Sequence, residues 1–360
     1  MTVFLAGFDF EARLTPTANG QGVVLPSRVR ERMGPLAGLF LLLAEDGDTV
    51  RCPGFDPPTV TTDPRSCDPP PPRATLERTR IATGRPAVVD GVLPWGRTDA
   101  ATGDGPSLMQ RLVDRRWWAA RQWEWHAAGL FPLDGVDRVQ MPPLTDATPV
   151  EFGSDFASRP LLHKAAFSAF GRGCRRSGEN VATLAAWIDR CSRQGGIVTE
   201  WEFAIEEEAA SHFIVTGGGG TFLGHSRLTV DDCFQCAGVE VSGRPGPGVE
   251  SDDRVRRVLQ TAASLGYRGP LSIDHARVRH PDDPQATAWR LLQDINPRLT
   301  IGSVALRAAR RWNRAVAIGL ADDWRPDFDI AGTWLLSGGS SRVRVFFGPP
   351  GDYGPPVPLT

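Results

Sequence analysis

The chain has 360 residues, 41% of them hydrophobic, and a formal net charge of -2 at pH 7. This length and apolar content suffice for a buried core and for two or three compact units. The near-neutral charge does not favour nucleic acid, which binds clustered positive charge. The N-terminus lacks a basic start with a long apolar core, and no apolar run reaches the ~20 residues that cross a bilayer. We therefore expect a cytoplasmic protein that binds neither nucleic acid nor a membrane.

The first 110 residues are irregular in pattern. Residues 3–8 predict a strand, residues 27–33 a short helix and residues 39–44 an apolar strand. Residues 56–73 are too rich in proline for a central strand or a helix, which predicts a surface loop or an extended linker. A helix is predicted from residue 107 to about residue 129, with its tryptophans forming a packed face rather than a binding site.

From about residue 139 onward, strands and helices follow each other regularly. Apolar alternation predicts strands at residues 160–165, 197–203, 211–215, 221–230, 238–241, 271–278 and 288–295, and a last hairpin at 333–336 and 343–347. Amphipathic spacing predicts helices at residues 179–193, 252–265 and 301–315. The glycine run in residues 216–221 predicts a hairpin tip, and the proline-rich tail predicts disorder.

Six cysteines are few for this length, so a disulfide framework is not expected. Cys233 and Cys236 have the CxxC spacing of zinc and redox sites. A zinc site normally needs a second ligand pair, which the sequence lacks. A redox pair opens a helix, whereas this pair lies in a predicted strand-and-turn stretch. Ordinary thiols are therefore the favoured interpretation.

Lys164 is the only lysine among the 40 basic side chains. It ends a predicted strand and precedes a turn in which Gly171 and Gly173 let the backbone approach a ligand and direct N–H groups at anionic oxygens. A P-loop places its lysine after the glycines, and a dinucleotide fingerprint has a third glycine, so the turn is neither. A strand-end lysine with this turn favours phosphate binding over chance retention of one lysine.

Asp294 and Asn296 lie two residues apart on a predicted strand, so they share one face while Ile295 points to the core. A carboxylate beside an amide oxygen suits Mg²⁺, which keeps waters and phosphate oxygens as its other ligands. Asp274 occupies the equivalent face of another predicted strand. If the two strands pair, the three polar side chains converge; the alternative is three solvated residues on a half-exposed sheet.

Glu200 and Trp201 end a strand before the acidic run of residues 206–208. A strand that ends in a linker can offer backbone groups to an adenine edge, and a carboxylate a few residues later can accept from ribose hydroxyls. Taken alone, an acidic run of this kind is more often a solvated surface.

In this order, the motifs resemble the ATP-grasp superfamily. They look most like a bacterial branch with the signatures Lys-x-x-x-Ser-x-x-Gly-Arg-Gly and Glu-Ile-Asn-x-Arg-x-Thr-x-Gly. These correspond to residues 164–173 and, with aspartate in place of the first glutamate, to residues 294–302. The resemblance covers roughly residues 110–320. It implies an α+β ATP-grasp fold in which two α+β subdomains grip ATP, preceded by a smaller irregular α/β domain. The implied boundaries are residues 1–110, 111–320, and 321–360 for a C-terminal hairpin and tail.

The resemblance also implies a role for each matching residue. Lys164 contacts the ATP phosphates, and Ser168, Gly171, Arg172 and Gly173 form a flap over them. Glu200 and Trp201 form the adenine hinge, and Glu207 or Glu208 accepts from the ribose. Asp274, Asp294 and Asn296 hold Mg²⁺, and Arg298 stabilises an acyl phosphate or an acceptor carboxylate.

The implied function is that of an ATP-dependent ligase. A carboxylate attacks the γ-phosphate, and an amine, thiol or similar nucleophile takes the acyl phosphate. The expected partners are small-molecule carboxylates and amines, and a homodimer is compatible with the chain. The family usually has glutamate where Asp294 stands, and its second phosphate-contacting lysine is absent, with Arg115, Arg116 or Arg121 the nearby cations. These departures keep a nucleotide-binding module without turnover, regulatory or scaffolding, as the alternative.

Overall fold

The computed structural model describes residues 3–5, 14–15, 33–53, 56–62, 69–71, 73–79, 92–94, 107–130, 160–168, 173–243, 246–280, 283–338 and 341–355. The predicted helix at residues 27–33 lies almost wholly outside these ranges, as do Gly171, Arg172 and the last residues of the tail. No helix within the ranges has both the length and the hydropathy to span a membrane. The described elements mix helices and strands, as the predicted α+β class requires.

The N-terminal part contains a short parallel sheet. Its elements in chain order are β1 (Val3–Leu5), α1 (Gly34–Ala37), a 3₁₀ helix (Gly38–Leu42), β2 (Thr49–Pro53), β3 (Thr59–Thr62), β4 (Thr75–Thr79) and β5 (Val92–Pro94). Strands β4, β2, β1 and β5 form the sheet in that order, whereas β3 pairs with a C-terminal strand.

Two predictions for this part are wrong. The apolar run at residues 39–44 is helical rather than extended, because a fully buried run carries no periodicity that separates strand from helix. The proline-rich segment at 56–73 contains an edge strand, Thr59–Thr62, whose four residues are all β-branched and favour a strand, because the prolines lie outside it.

The helix predicted at residues 107–129 is in fact two helices, α2 (Leu108–Val113) and α3 (Arg115–Ala127). Asp114 between them is extended, with ψ at 109°. Its carboxylate accepts from the backbone N–H of Arg116 at 2.9 Å, which caps the new helix. Arg115 therefore begins a helix next to the candidate site described below.

A small antiparallel sheet follows. It consists of β6 (Leu161–Ala165), β7 (Cys174–Arg176) and β8 (Ile197–Trp201), with α4 (Val181–Ser192) between the last two. The strand order is β7-β6-β8. Lys164 lies opposite Cys174 on one side and Val198 on the other.

The remaining elements build a large sheet with two helices. In chain order they are β9 (Ile205–Thr216), β10 (Gly219–Val230), β11 (Cys236–Val241), α5 (Asp253–Ser264), β12 (Gly269–His280), β13 (Asp283–Asn296), α6 (Ile301–Trp312), β14 (Arg314–Gly319), β15 (Gly332–Gly338) and β16 (Ser341–Pro350). The strand order is β13-β12-β9-β10-β11-β14-β16-β15-β3.

The predicted helix at residues 301–315 runs too far, and β14 was missed. The helix ends where Asn313 adopts the left-handed conformation with φ of 50°, after which the chain turns back into the sheet. Thr300 caps its N-terminus in a capping box with Ser303.

Helices α5 and α6 cover one face of the large sheet. Ile273 and Ile295 lie in the same apolar core as buried residues of both helices. The neighbouring polar residues Asp274, Asp294 and Asn296 instead line a cleft. The alternation predicted from sequence thus separates a core face from a polar face.

Candidate functional site

A cleft of about 670 Å³ is lined by residues of both the small sheet and the large sheet. Its size falls in the range of small-molecule sites. Many residues singled out by sequence line it: Lys164, Ser168, Glu207, Glu208, Asp274, Asp294, Asn296 and Arg298. Glu200, Trp201 and Gly173 are not among its described lining residues, and Gly171 and Arg172 lie outside the described ranges.

Lys164 is held in a buried cluster of charges. Its Nζ lies 2.6 Å from Oε1 of Glu200 and donates to the backbone carbonyl of Gln293 at 3.3 Å. Arg290 holds the same carboxylate with two hydrogen bonds, at 2.9 and 2.6 Å. Burial alone would raise the pKa of Glu200, but the charges of Arg290 and Lys164 outweigh it and lower the pKa to about 2.

The side chain of Glu200 therefore serves as a counter-ion for two cations. Its exposed fraction is 1%, and it is not among the described residues that line the cleft. The adenine-hinge assignment, which concerns backbone groups, stays a prediction. Trp201 is also buried, with its ring 6.5 Å from that of Phe203. Phe203 and the next two residues do line the cleft, and sequence reasoning passed over them.

Arg115 joins the two walls of the cleft. Its guanidinium donates to both carboxylate oxygens of Asp294, at 3.1 and 2.6 Å. It also donates to Oγ of Ser168 at 2.7 Å and to the carbonyl of Ala165 at 2.8 Å. Of the three arginines considered from sequence as stand-ins for a second lysine, Arg115 is the one that lines the cleft.

Ser168 and Gly173 bring the two ends of the predicted phosphate turn together. A Cβ on Gly173 would stand 2.4 Å from Oγ of Ser168, a separation that real side chains do not reach. The carbonyl of Gly173 accepts from the N–H of Ala165 at 2.7 Å. Glycine is therefore required at position 173 by packing, independently of any ligand.

The two acidic strands pair as the sequence argument required. Asp274 on β12 lies directly opposite Asp294 on β13. Nδ2 of Asn296 donates to Oδ2 of Asp274 at 3.0 Å, and Arg298 donates to Oδ1 of Asn296 at 2.9 Å. The three predicted metal ligands and Arg298 thus form one connected group.

The electrostatics of this group fit a divalent cation. Burial and the charge of Asp294 raise the pKa of Asp274 to about 7, whereas the charge of Arg115 overcomes burial and lowers the pKa of Asp294. A metal would relieve the repulsion between the carboxylates. No cluster of three or more His, Cys, Asp or Glu suited to a metal occurs in the described ranges, but Mg²⁺ commonly uses only one or two carboxylates.

The acidic run lies within β9 and not on a solvated loop. Burial raises the pKa of Glu208 to about 7 although Lys164 is near. Glu207 lies 3.5 Å from Nε of Arg227 and 3.4 Å from Nη2 of Arg277. Both glutamates line the cleft.

A buried histidine that sequence reasoning missed forms part of the cleft wall. Nδ1 of His212 bonds Oγ of Ser272 at 2.8 Å, and its Nε2 bonds Oγ of Ser226 at 2.9 Å. Burial lowers its pKa to about 3, so the ring is neutral at physiological pH. A Cβ on Gly302 would stand 2.3 Å from Oγ of Ser226, so the first turn of α6 packs directly on this network.

Cys233 and Cys236 lie in a turn and at the start of β11, as the thiol interpretation expected. Cys233 is exposed, and Cys236 donates to the carbonyl of Gly238 at 3.6 Å. Burial raises the pKa of Cys236 to about 12, which makes its thiol unreactive at neutral pH.

No protein-family model matches the chain, and no curated protein matches it. Solved structures do match. The N5-carboxyaminoimidazole synthetase of Staphylococcus aureus, complexed with ADP, is 10% identical over 96% of this chain and 92% of that chain, with a TM-score of 0.49. A protein of Archaeoglobus fulgidus assigned to the ATP-grasp superfamily is 12% identical over 96% and 99%, with a TM-score of 0.42.

A third match is the biotin carboxylase domain of the Hydrogenobacter thermophilus 2-oxoglutarate carboxylase, a dimer in complex with MgADP, ADP and bicarbonate. It is 14% identical with a TM-score of 0.42, and the match spans 67% of this chain but only 63% of that one. The matching structures include ATP-grasp proteins, the superfamily that the sequence motifs resemble. At these identities and TM-scores, function has to be inferred from the cleft itself.

Proposed function

We propose that the chain binds MgATP in the 670 Å³ cleft and uses it to activate a carboxylate as an acyl phosphate. The carboxylate oxygen attacks the γ-phosphorus and ADP leaves; an amine or similar nucleophile then attacks the acyl carbon and phosphate leaves. The observation that carries the proposal is the pairing of Asp274 with Asp294 across two strands, beside Asn296 and Arg298, in a cleft that Lys164 also lines. Catalysis of phosphoryl transfer depends mainly on positioned cations and metal ligands of this kind.

Lys164 is suited to a phosphate because its ammonium is only partly engaged. An ammonium has three N–H donors, and two of them are accounted for by Glu200 and the carbonyl of Gln293. The third is left for a phosphate oxygen. Since Arg290 also holds Glu200, the cluster of two cations and one carboxylate keeps a net positive charge.

Asp274, Asp294 and Asn296 are the residues that would hold Mg²⁺. When bound, the ion supplies charge neutralisation at the phosphate oxygens. Arg298, buried and fixed by its hydrogen bond to Asn296, would orient the carboxylate and stabilise the acyl phosphate. His212, neutral and held by two serines, would keep the adjoining wall rigid and dry. Phe203, Glu207 and Glu208 are the candidates for the nucleoside.

One observation favours the alternative, a module that binds nucleotide without turnover. Both oxygens of Asp294 are engaged by Arg115, and aspartate is one methylene shorter than the family's usual glutamate. The guanidinium competes with a metal for the lone pairs of this carboxylate, which disfavours its use in phosphoryl transfer. The two functions differ in turnover and share nucleotide binding.

The test measures the melting temperature with ATP, with and without Mg²⁺, and then phosphate release with pooled amino acids and small carboxylates. We expect Mg²⁺-dependent stabilisation by ATP in the wild type and its loss in Lys164→Ala. The matched control is Arg193→Gln, which removes an exposed cation that pairs with Asp189. Stabilisation without release over the whole pool supports the binding module. No stabilisation, or an unchanged shift in folded Lys164→Ala, refutes the proposal.

A further inference from the structure

A row of four polar contacts leads from the surface into the large sheet. Nε2 of His225 lies 3.3 Å from a carboxylate oxygen of Glu250, and its Nδ1 lies 2.9 Å from Oγ of Ser211. The same Oγ lies 2.7 Å from Nε2 of His275, whose Nδ1 bonds the backbone carbonyl of Leu291. Ser211 and His275 have no exposed area, whereas 39% of the Glu250 side chain is exposed. Solvent therefore reaches this row of contacts at its Glu250 end.

The four contacts hold one proton too few when both histidines are neutral. A hydrogen bond needs one proton between its two heavy atoms, so four contacts need four protons. The carbonyl of Leu291 and the carboxylate of Glu250 supply none, because both only accept. Neutral His275, the hydroxyl of Ser211 and neutral His225 supply one each.

The missing proton belongs between His225 and Glu250. Nδ1 of His275 must carry a proton to donate to the carbonyl of Leu291, which leaves its Nε2 as an acceptor. The hydroxyl of Ser211 then donates to His275 and accepts from Nδ1 of His225. In a neutral His225, Nε2 is therefore an unprotonated nitrogen that faces a carboxylate.

His275 does not supply the extra proton. Burial lowers its pKa to about 4, and a cation bound at the neighbouring Asp274 would lower that pKa further. Burial also lowers the pKa of His225 below its ordinary 6.5, although the charge of Glu250 acts in the opposite direction. Nε2 of His225 therefore takes its proton from solvent in acid. The attraction to Glu250 is present below the midpoint of His225 and is lost as the pH rises through it.

Glu250 belongs to a segment that lies directly on the His225 ring. A Cβ on Gly246 would stand 1.9 Å from Cδ2 of the imidazole, so the backbone of the segment packs against the ring. Val249 is buried in the core, and Asp252 caps the N-terminus of α5. A contact that holds Glu250 therefore fixes the connection between β11 and α5.

We propose that His225 and Glu250 form a pH-sensitive ion pair, which holds residues 246–252 against β10 in acid and releases them when Nε2 loses its proton. Ser211 accepts from Nδ1 in both states, so the exchangeable proton is the one on Nε2. Glu250 turns to water when the pair opens, since it is partly exposed. The switch goes beyond the proposed ATP chemistry and does not depend on it.

Within the described part of the chain, Glu250 is the only charged group at ion-pair distance from the His225 ring. A positive charge on His212 or His275 would repel a charged His225, and Asp252 attracts His275. Six further ionisable side chains line a small cavity together with His225: Glu207, Arg227, Glu240, Arg310, Asp352 and Tyr353. All of these groups stay the same when Glu250 is replaced, so a comparison of Glu250 variants isolates the ion pair.

NMR of the histidine side-chain nitrogens, recorded from about pH 4.5 to 8.5, measures the midpoint and the tautomer of His225. We expect neutral His225 to carry its proton on Nδ1. Glu250→Ala should lower the midpoint, because it removes the charge that favours the imidazolium. The matched control is Glu124→Ala, which removes an exposed glutamate paired with Arg121 on α3 and should leave the midpoint unchanged.

Hydrogen exchange of the backbone amides of residues 249–252 tests the release, as protection factors about one pH unit below and above that midpoint. We expect wild type to be protected about threefold more strongly on the acid side, and Glu250→Ala to be weakly protected on both sides. In Glu250→Gln an amide N–H supplies the fourth proton to Nε2, so protection should be present on both sides.

Four results would each overturn the proposal. They are a neutral His225 with its proton on Nε2, an unchanged midpoint in Glu250→Ala, equal protection of wild type on both sides of the midpoint, and a wild-type pH dependence of protection in Glu250→Gln.

Discussion

Replacing Glu200 by glutamine tests how strongly the buried charge cluster stabilises the protein. The substitution preserves shape but leaves Lys164 and Arg290 as two buried cations without their carboxylate. Removing one partner of a buried ion pair costs about 3–5 kcal/mol. The pKa gives a similar figure: a fall from 4.5 to about 2, at about 1.36 kcal/mol per pH unit, corresponds to about 3 kcal/mol. We therefore expect a loss of about 3–4 kcal/mol at pH 7.

The assay is urea unfolding followed by tryptophan fluorescence, with the free energy extrapolated to water and the m-value compared between variants. Glu202→Gln is the matched control, since Glu202 pairs with Arg176 at 2.6 Å but both side chains are partly exposed. Its loss should stay within about 1 kcal/mol. If Glu200→Gln costs no more than this control, the cluster does not stabilise the fold as argued.

The stabilisation by Glu200 should also depend on pH. The pKa of Glu200 is depressed in the folded chain, so its stabilisation is present above the unfolded value of 4.5 and is lost as the pH falls towards about 2. The free-energy gap between wild type and Glu200→Gln should be constant from about pH 5 to 8 and narrow below 4.5. A gap that narrows only above pH 7 would contradict the assignment.

Three further predictions concern the cleft. In chelator at about pH 8, Asp274→Asn should be more stable than wild type by about 4 kcal/mol, and urea unfolding should find the difference shrinking below pH 7 and gone near pH 4, because the pKa of Asp274 is raised from 3.8 to about 7. Gly302→Ala should lower stability by about 1–3 kcal/mol, since its Cβ would stand 2.3 Å from Oγ of Ser226; a higher melting temperature, the usual effect of alanine in a helix, would contradict the packing. Arg115→Met should tighten Mg²⁺ binding about tenfold, measured by thermal shift without nucleotide, because it frees Asp294; an unchanged Mg²⁺ midpoint would remove Asp294 from the metal site.

The regular part of the fold could be predicted because its periodicities are local. The strands around Lys164, Asp274 and Asp294 alternate clearly, and the helices between them have one apolar face. Two of the wrong predictions show where a local pattern gives no information. Uniformly apolar residues 39–44 carry no period, and the end of α6 depends on a left-handed Asn313 that apolar spacing does not reveal.

The site could be predicted only where its geometry follows from spacing along one strand. Asp294 and Asn296 share a face for that reason, and their meeting with Asp274 needed only the pairing of two strands. Arg115 contacts Asp294 across 179 residues, so no local pattern gives that partner. Arg290 offered a signal that was overlooked: it stands in a strand beside Leu291 and Leu292, and a charge in such a position must be paired.

Arg290 also determines what the lone lysine can do. Its planar guanidinium takes both oxygens of Glu200, which by itself neutralises that carboxylate. The ammonium of Lys164 is therefore an excess positive charge, attached to the cluster but not required to balance it. A compact ammonium can rotate a free N–H towards a ligand while keeping its other contacts. A second arginine in its place would have its N–H donors fixed in the plane of the guanidinium. The phosphate-binding capacity proposed for Lys164 thus rests on an arginine 126 positions further along, which belongs to none of the sequence motifs.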